Sequence, residues 1–189
     1  MNESIVTVGN KVKSVRELKS VDIETVAERT GLTTTQIEMI ENGESVSLAP
    51  LIKIARALGV RLGTFLDDIE SDSPVVCRSE DYDRGVRFNT SGSNTKHLDY
   101  YSLARAKSGR YMEPFIIEIN NSKGDEFTFS SHEGEEFIYC MDGIVEVVYG
   151  QKSYALNPGD SIYYDSIVEH GIQAVNGKAK ILAVVYAPA

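Results

Sequence analysis

The chain changes its hydrophobic period once. Up to residue 66 apolar positions return every three or four residues, and from about residue 98 they alternate with polar ones. Val8, Val12, Val15 and Leu18 recur at the spacing of a first helix. Asp22 is placed to cap a second, DIETVAERTG, which Gly31 ends. Thr33 opens TTTQ, a capping-box pattern in which the Thr33 hydroxyl and the Gln36 side chain satisfy each other's free backbone donors. Ile37 and Ile40 face inward on the third helix, which stops at Asn42-Gly43. Ser47 is placed to cap a fourth helix, LAPLIKIARALG, with Leu48, Leu51, Ile52, Ala55 and Leu58 on one face and Gly59 at its end. LGTFLDD reads as a fifth, short helix.

The second half predicts strands. FIIEI (115–119), EFTFS (126–130), EFIYCM (136–141), IVEVVYG (144–150), KSYAL (152–156), SIYY (161–164) and KILAVVY (180–186) have the period of two. Asp142-Gly143, Gly150-Gln151 and Asn157-Pro158-Gly159-Asp160 read as turns between them. Many short strands at this spacing predict a barrel or a double-sheet sandwich. Between the halves, DDIESDSP is acidic and NTSGSNTK small and polar, so this stretch reads as linker and covering loops. The expectation is an α+β chain of two domains. A helical domain spans 1–68, a linker 69–97 and an all-β domain 98–189.

Composition narrows the function. Of 189 residues 42% are hydrophobic and the net charge is −9, which argues against broad binding to nucleic acid or anionic membranes but leaves room for a local basic face. No run of about 18 apolar residues predicts a membrane span. The first residues lack the pattern of a signal peptide, so a cytoplasmic location is expected. Cys77 and Cys140 are too few for a disulfide framework, and Cys140 sits in an apolar strand as a small core residue.

The turn between helices two and three, ERTGLTTTQIEMIENGE, resembles the helix-turn-helix of the phage-repressor-like regulators. Val26-Ala27, Gly31, Ile37, Ile40, Glu41 and Gly43 carry the likeness, and SLAPLIKIARALGV matches the fourth helix of that family. The resemblance implies that the third helix enters a DNA major groove as part of a homodimer reading two half-sites. Thr33, Thr34, Thr35, Gln36 and Met39 would then face bases or phosphates, with Gln36 suited to an adenine edge. The charge is less favourable. Residues 1–70 hold eight Lys or Arg against eleven Asp or Glu, and residues 33–43 have no basic residue. Lys19, with Lys11, Lys13, Arg16 and Arg29, is the candidate source of phosphate contacts.

SSHEGEEFIYCMDG (130–143) raises a different chemistry. His132 and Glu136 would lie about 13 Å apart along one straight strand, too far to share an ion. Gly134 permits a tight turn, so that His132 ends one strand and Glu136 begins the next. His170, after another strand, can close the group from across a barrel.

With NPGDSIYYDSIVEH, this stretch resembles the two motifs of the cupin barrel, a double-stranded β-helix. Glu136 and Gly143 keep the spacing of the first motif; His132 matches the second of its paired histidines, and Ser130 stands where the first would be. Pro158-Gly159-Asp160 and His170 match the second motif. The resemblance implies that His132, Glu136 and His170 point into the barrel mouth. Two histidines and one carboxylate form the facial triad suited to Fe(II), and the same set holds Zn, Mn or Ni; the other reading is a pair of histidines hydrogen-bonded inside an organic-ligand pocket. Tyr100, Tyr101, Tyr111, Tyr139 and Tyr164 are candidates to line the pocket, against ordinary barrel packing. Arg105, Lys107 and Arg110 are candidates to pair with an anion, against a solvated loop.

Two functions follow from these resemblances. In the first, a homodimeric transcription regulator binds operator DNA and its barrel senses a small molecule, possible metal included. In the second, the chain is an enzyme. His132-Glu133-Gly134-Glu135-Glu136 and the domain order resemble the hydroxypropylphosphonate epoxidases, mononuclear iron enzymes. That likeness implies Fe(II) on His132, Glu136 and His170 and a small anionic substrate.

Overall fold

The helical half is punctuated by the caps its sequence contains. In this computed structural model, which describes residues 8–44, 47–66, 74–80, 98–120 and 129–188, Asp22 accepts a hydrogen bond from the Thr25 backbone N–H at 2.7 Å and opens α2 (Ile23–Thr30). Gly31 ends α2 in left-handed backbone, φ 70°. The Thr33–Gln36 capping box starts α3 (Thr34–Glu41): Thr33 Oγ1 accepts from Gln36 N–H at 3.2 Å, and Gln36 Oε1 accepts from Thr33 N–H at 2.9 Å. These two stand with α1 (Val8–Leu18), α4 (Leu48–Ala57) and α5 (Gly63–Leu66) around Val12, Val26, Ile37, Leu51, Ile54 and Phe65, all essentially without solvent contact.

Some expectations fail. Ser47 occupies the cap position of α4, but its side chain makes no capping hydrogen bond. Leu18 is 85% exposed, because the inward stripe of α1 ends at Val15. Two contacts between α1 and α3 were invisible to the hydrophobic pattern. A Cβ on Gly9 would lie 2.1 Å from the Ile40 carbonyl oxygen, so only glycine lets the helices approach this closely. Arg16 grips the buried Glu41 carboxylate with Nε at 2.6 Å and Nη2 at 2.8 Å, and its Nη1 donates to the Val21 carbonyl.

The strand half is an antiparallel sheet of β1 (Leu98–Ser102), β2 (Met112–Asn120), β3 (Glu135–Tyr149), β4 (Lys152–Leu156), β5 (Ser161–Asp165) and β6 (His170–Tyr186). The order is β1-β2-β6-β3-β4, and β5 pairs with the first part of β3. Two long strands thus replace several short ones. Asp142-Gly143 is not a turn: β3 runs through it with register shifts against β6 on either side. The reason is visible in the side-chain faces. Glu136, Ile138 and Cys140 face inward at even positions, and Val145 and Val147 at odd ones. An irregularity must lie between for both sets to reach the core. Gly143 supplies it, with φ 75° and no room for a Cβ beside the Lys178 carbonyl. β6 likewise begins at His170, ten residues before KILAVVY. EFTFS falls mostly outside the described residues; its last residue, Ser130, bridges His170.

The helical half rests on the strand half through α4 and its C-terminal loop. Arg56 forms an ion pair with Glu133, and the Arg61 guanidinium lies 5.7 Å above the centre of the Tyr111 ring. Among the described residues no helix is long and apolar enough to cross a membrane.

Candidate metal centre

Gly134 builds the site. Its φ of 111° turns the chain into β3, and an added Cβ would lie 1.9 Å from the Tyr186 carbonyl oxygen. His132 therefore sits in the turn, anchored by its N–H to the Ser166 carbonyl at 3.0 Å, rather than on a strand as expected. Glu136 is the second residue of β3 and His170 the first of β6. One ligand atom from each of His132, Glu136 and His170 falls within 4.8 Å of the others. His132 Nε2 is 2.8 Å and His170 Nε2 3.6 Å from Glu136 Oε1. All three side chains are buried or nearly so.

Second contacts aim these three side chains. His132 Nδ1 lies 3.1 Å from the Glu133 carbonyl and His170 Nδ1 2.8 Å from the Val168 carbonyl. A carbonyl only accepts, so each Nδ1 donates to it and each Nε2 faces Glu136, the orientation that metal-ligating histidines adopt. Tyr164 donates to Glu136 Oε2 at 2.7 Å and leaves Oε1 to the histidines. Burial pushes the Glu136 carboxyl up, but hydrogen bonds and charge from His132 and His170 outweigh it and hold the group at about 2. Glu136 is thus a carboxylate at neutral pH. Burial pushes the His170 ring down, and the Glu136 contact overcomes it and raises its pKa. Burial, then the Glu136 charge, raise both Tyr100 and Tyr164, so both remain phenols. Ser130 Oγ, where the cupin pattern has its missing histidine, is 3.3 Å from His170 Nε2. This donor set and its orienting contacts fit a divalent ion, which supplies Lewis acidity and open coordination positions when bound.

The triad opens into a cavity of about 390 Å³. Ile117, Ile138 and Ile172 make its apolar wall, and Tyr100 and Tyr164 its phenolic one. The other three tyrosines fall elsewhere. Tyr139 neighbours the inward Ile138 and so faces out, 40% exposed. Tyr101 is buried on the other face of β1 from Tyr100, its hydroxyl 3.5 Å from Glu118. Tyr111 is on the surface beneath Arg61. Arg110 is no solvated loop residue: its Nε holds the buried Glu113 at 2.7 Å and its Nη1 the Lys107 carbonyl. Sequence reasoning missed the far wall, made of Leu48, Ala49, Pro50 and Lys53 from α4.

Residues 12–65 match the helix-turn-helix family, and residues 119–185 match the cupin domain family. The chain is a helix-turn-helix domain joined to a cupin domain. Over 187 residues it is 28% identical to (S)-2-hydroxypropylphosphonic acid epoxidase of Streptomyces wedmorensis, across 92% of each chain. A helix-turn-helix family transcriptional regulator from Vibrio cholerae shares the fold, with TM-score 0.70 over 96% of each chain at 22% identity. The Fe(II) form of hydroxypropylphosphonic acid epoxidase with substrate superposes with TM-score 0.52 at 25% identity, over 95% of this chain and 97% of that one.

In the helix-turn-helix domain, Thr33, Thr35, Gln36 and Met39 are exposed on α3, Thr34 is half-buried, and Lys19 is exposed just past α1. Gln36 is only half available. Its carbonyl is spent on the Thr33 cap, so pairing both edges of an adenine requires opening the capping box. Arg16 and Arg29 are occupied too. Arg16 holds Glu41, and Arg29 donates to the Ala57 carbonyl at the end of α4.

Proposed function

We propose that this protein is a cytoplasmic, homodimeric DNA-binding transcription regulator, and that its cupin domain senses a small-molecule ligand at a divalent metal on His132, Glu136 and His170. One observation carries the reading: a pre-oriented triad opens into a cavity whose far wall belongs to the helix-turn-helix domain. A ligand there touches the domain that holds α3. A ligand changes DNA affinity only if it binds the two arrangements of the domains unequally, and a cavity shared between domains meets that condition. Thr33, Thr35 and Met39 serve as groove contacts, and Lys13 and Lys19 as phosphate contacts. With so few cations, affinity is modest and falls with salt.

The test has two parts. Elemental analysis of purified protein is expected to find about one divalent metal per chain, lost in His132→Ala. Fluorescence anisotropy with duplex DNA from upstream of the protein's own gene, at low salt, is expected to detect binding by a dimer. A dimer that binds no such DNA sinks the regulator reading.

The similarity to the epoxidase, over nearly the whole chain, favours a second reading as a mononuclear non-haem iron enzyme acting on a small anionic substrate. Bound iron, together with consumption of dioxygen or peroxide that depends on a small acid, would replace the first reading with this one.

A further inference from the structure

The cavity is not a feature of the barrel alone. Leu48, Ala49 and Pro50, the first turn of α4, and Lys53, one turn later, form one wall. The triad with Ser130 forms the polar end on the barrel side, and apolar Leu98, Ile117 and Ile138 line the space. Lys53 is half-buried. Among the described residues it makes no hydrogen bond or ion pair, although Glu169 lines the same cavity. A lysine lining this otherwise mainly apolar wall is available to pair with an anionic group inside the cavity.

The charges make the preference of the cavity conditional. Lys53, Glu136 and Glu169 leave the lining one charge negative. A divalent ion on the triad turns it one charge positive. Glu169 is exposed and screened by solvent, whereas Lys53 is half-buried and less screened. The volume, about 390 Å³, is near the lower end for small-molecule pockets and excludes a polymer.

We propose that the metal-loaded cavity binds a small organic acid at two points, an oxygen donor toward the triad and the anionic group on Lys53, so that the helix-turn-helix domain supplies part of the ligand site. The ligand thereby clamps α4 against the barrel, alongside the Arg56–Glu133 pair. Glu133 belongs to the same short turn as the ligand His132 and holds its Nδ1, so the clamp and the metal site share one segment of chain. Lys53 sets specificity through charge, and the apolar wall between limits the spacer.

This inference rests on the metal reading above, and the experiment separates the two. Metal content is measured first on wild type, Lys53→Gln and Lys53→Arg. All three are expected to bind metal equally and to have the same helical circular dichroism. Thermal melts of the metal-loaded full-length proteins are then followed with 2-, 3- and 4-hydroxybutyrate, which step the distance between donor oxygen and carboxylate. Their methyl esters are the neutral controls. At least one acid is expected to stabilise wild type, its ester is not, and the acid's affinity falls about ten- to hundredfold in Lys53→Gln, the loss of one charge-assisted contact. Lys53→Arg is expected to retain most of it. Equal stabilisation of wild type and Lys53→Gln, equal stabilisation by acids and esters, or no response of metal-loaded wild type to any acid overturns the inference and leaves the metal reading standing. A chain that binds no metal overturns both.

Discussion

Arg16 tests whether the basic residues of the helix-turn-helix domain face DNA or hold its frame. Its guanidinium meets both oxygens of Glu41, and the two side chains are only 12% and 4% exposed. The Glu41 contact, partly offset by burial, raises the Arg16 pKa. Replacing Arg16 with Met leaves a carboxylate stranded at the α1–α3 junction. Breaking a buried pair in this way costs about 3–5 kcal/mol, whereas replacing both partners with apolar residues is often neutral. A helical domain of this size has roughly 3–9 kcal/mol of stability in all, so the single change removes much of it. Urea unfolding followed by circular dichroism at 222 nm is expected to register that loss in Arg16→Met and a recovery to within about 1–2 kcal/mol in Arg16→Met/Glu41→Leu. The double variant is also expected to bind DNA with an unchanged salt slope, because Arg16 neutralises no phosphate. Two results refute this reasoning: a single variant within about 1 kcal/mol of wild type, the value of an exposed pair, or a double variant whose salt slope drops by about one.

Gly134→Ala combines about 1–3 kcal/mol of backbone strain with about 1–3 kcal/mol of overpacking against the Tyr186 carbonyl; Gly150→Ala, at φ 58° with only a Val168 methyl 3.4 Å away, is expected to lower the near-ultraviolet melting midpoint far less. Tyr164→Phe strips the hydroxyl from Glu136 Oε2, and a competitive chelator titration is expected to find metal affinity reduced about 10–100-fold with the fold kept. Metal-free protein should lose stability in acid through Glu136. Its pKa of about 2 lies below the ordinary 4.5, so its contribution is fully present above pH 4.5 and fades as pH falls toward 2. Urea midpoints at pH 7, 4.5 and 3 should fall more steeply for wild type than for Glu136→Gln.

The sequence was most legible where a short rule decides the structure. Asp22, Thr33-Gln36, Gly31 and Gly59 mark helix ends because capping is local, and these helices form where the pattern places them. The triad was legible for the same reason: Gly134 between His132 and Glu136 forecasts a turn, and the turn is there. Gly143 misled because a hairpin turn and a strand irregularity both want glycine at positive φ, and five residues of context cannot separate them. The tyrosines were sorted by strand parity, which depends on register: Tyr100 and Tyr164 fall on the cavity side, Tyr101 and Tyr139 on the other. Lys53 and the Arg16–Glu41 pair were out of reach, because each depends on how distant segments pack.

This chain, similar both to a regulator and to an epoxidase, holds a His-Glu-His triad beside a cavity walled in part by its helical domain. That arrangement is neutral between the readings, since a sensor and an enzyme both need a pre-oriented metal and a closed cavity. What separates them lies on α3. A helix that enters a major groove brings its side chains beside phosphates, and α3 carries Glu38 and Glu41 with no lysine or arginine. Glu41 is neutralised by Arg16 and turned away; Glu38 is exposed on the helix that would meet DNA. Removing one such charge should strengthen DNA binding in a regulator, by relieving repulsion with phosphate, and leave a metal-dependent reaction in the barrel unchanged. Glu38→Gln is therefore expected to raise affinity for operator DNA at low salt, with the gain shrinking as salt screens the charge. An affinity indifferent to Glu38, in a dimer that does bind the DNA, would mean that α3 is not the helix in the groove.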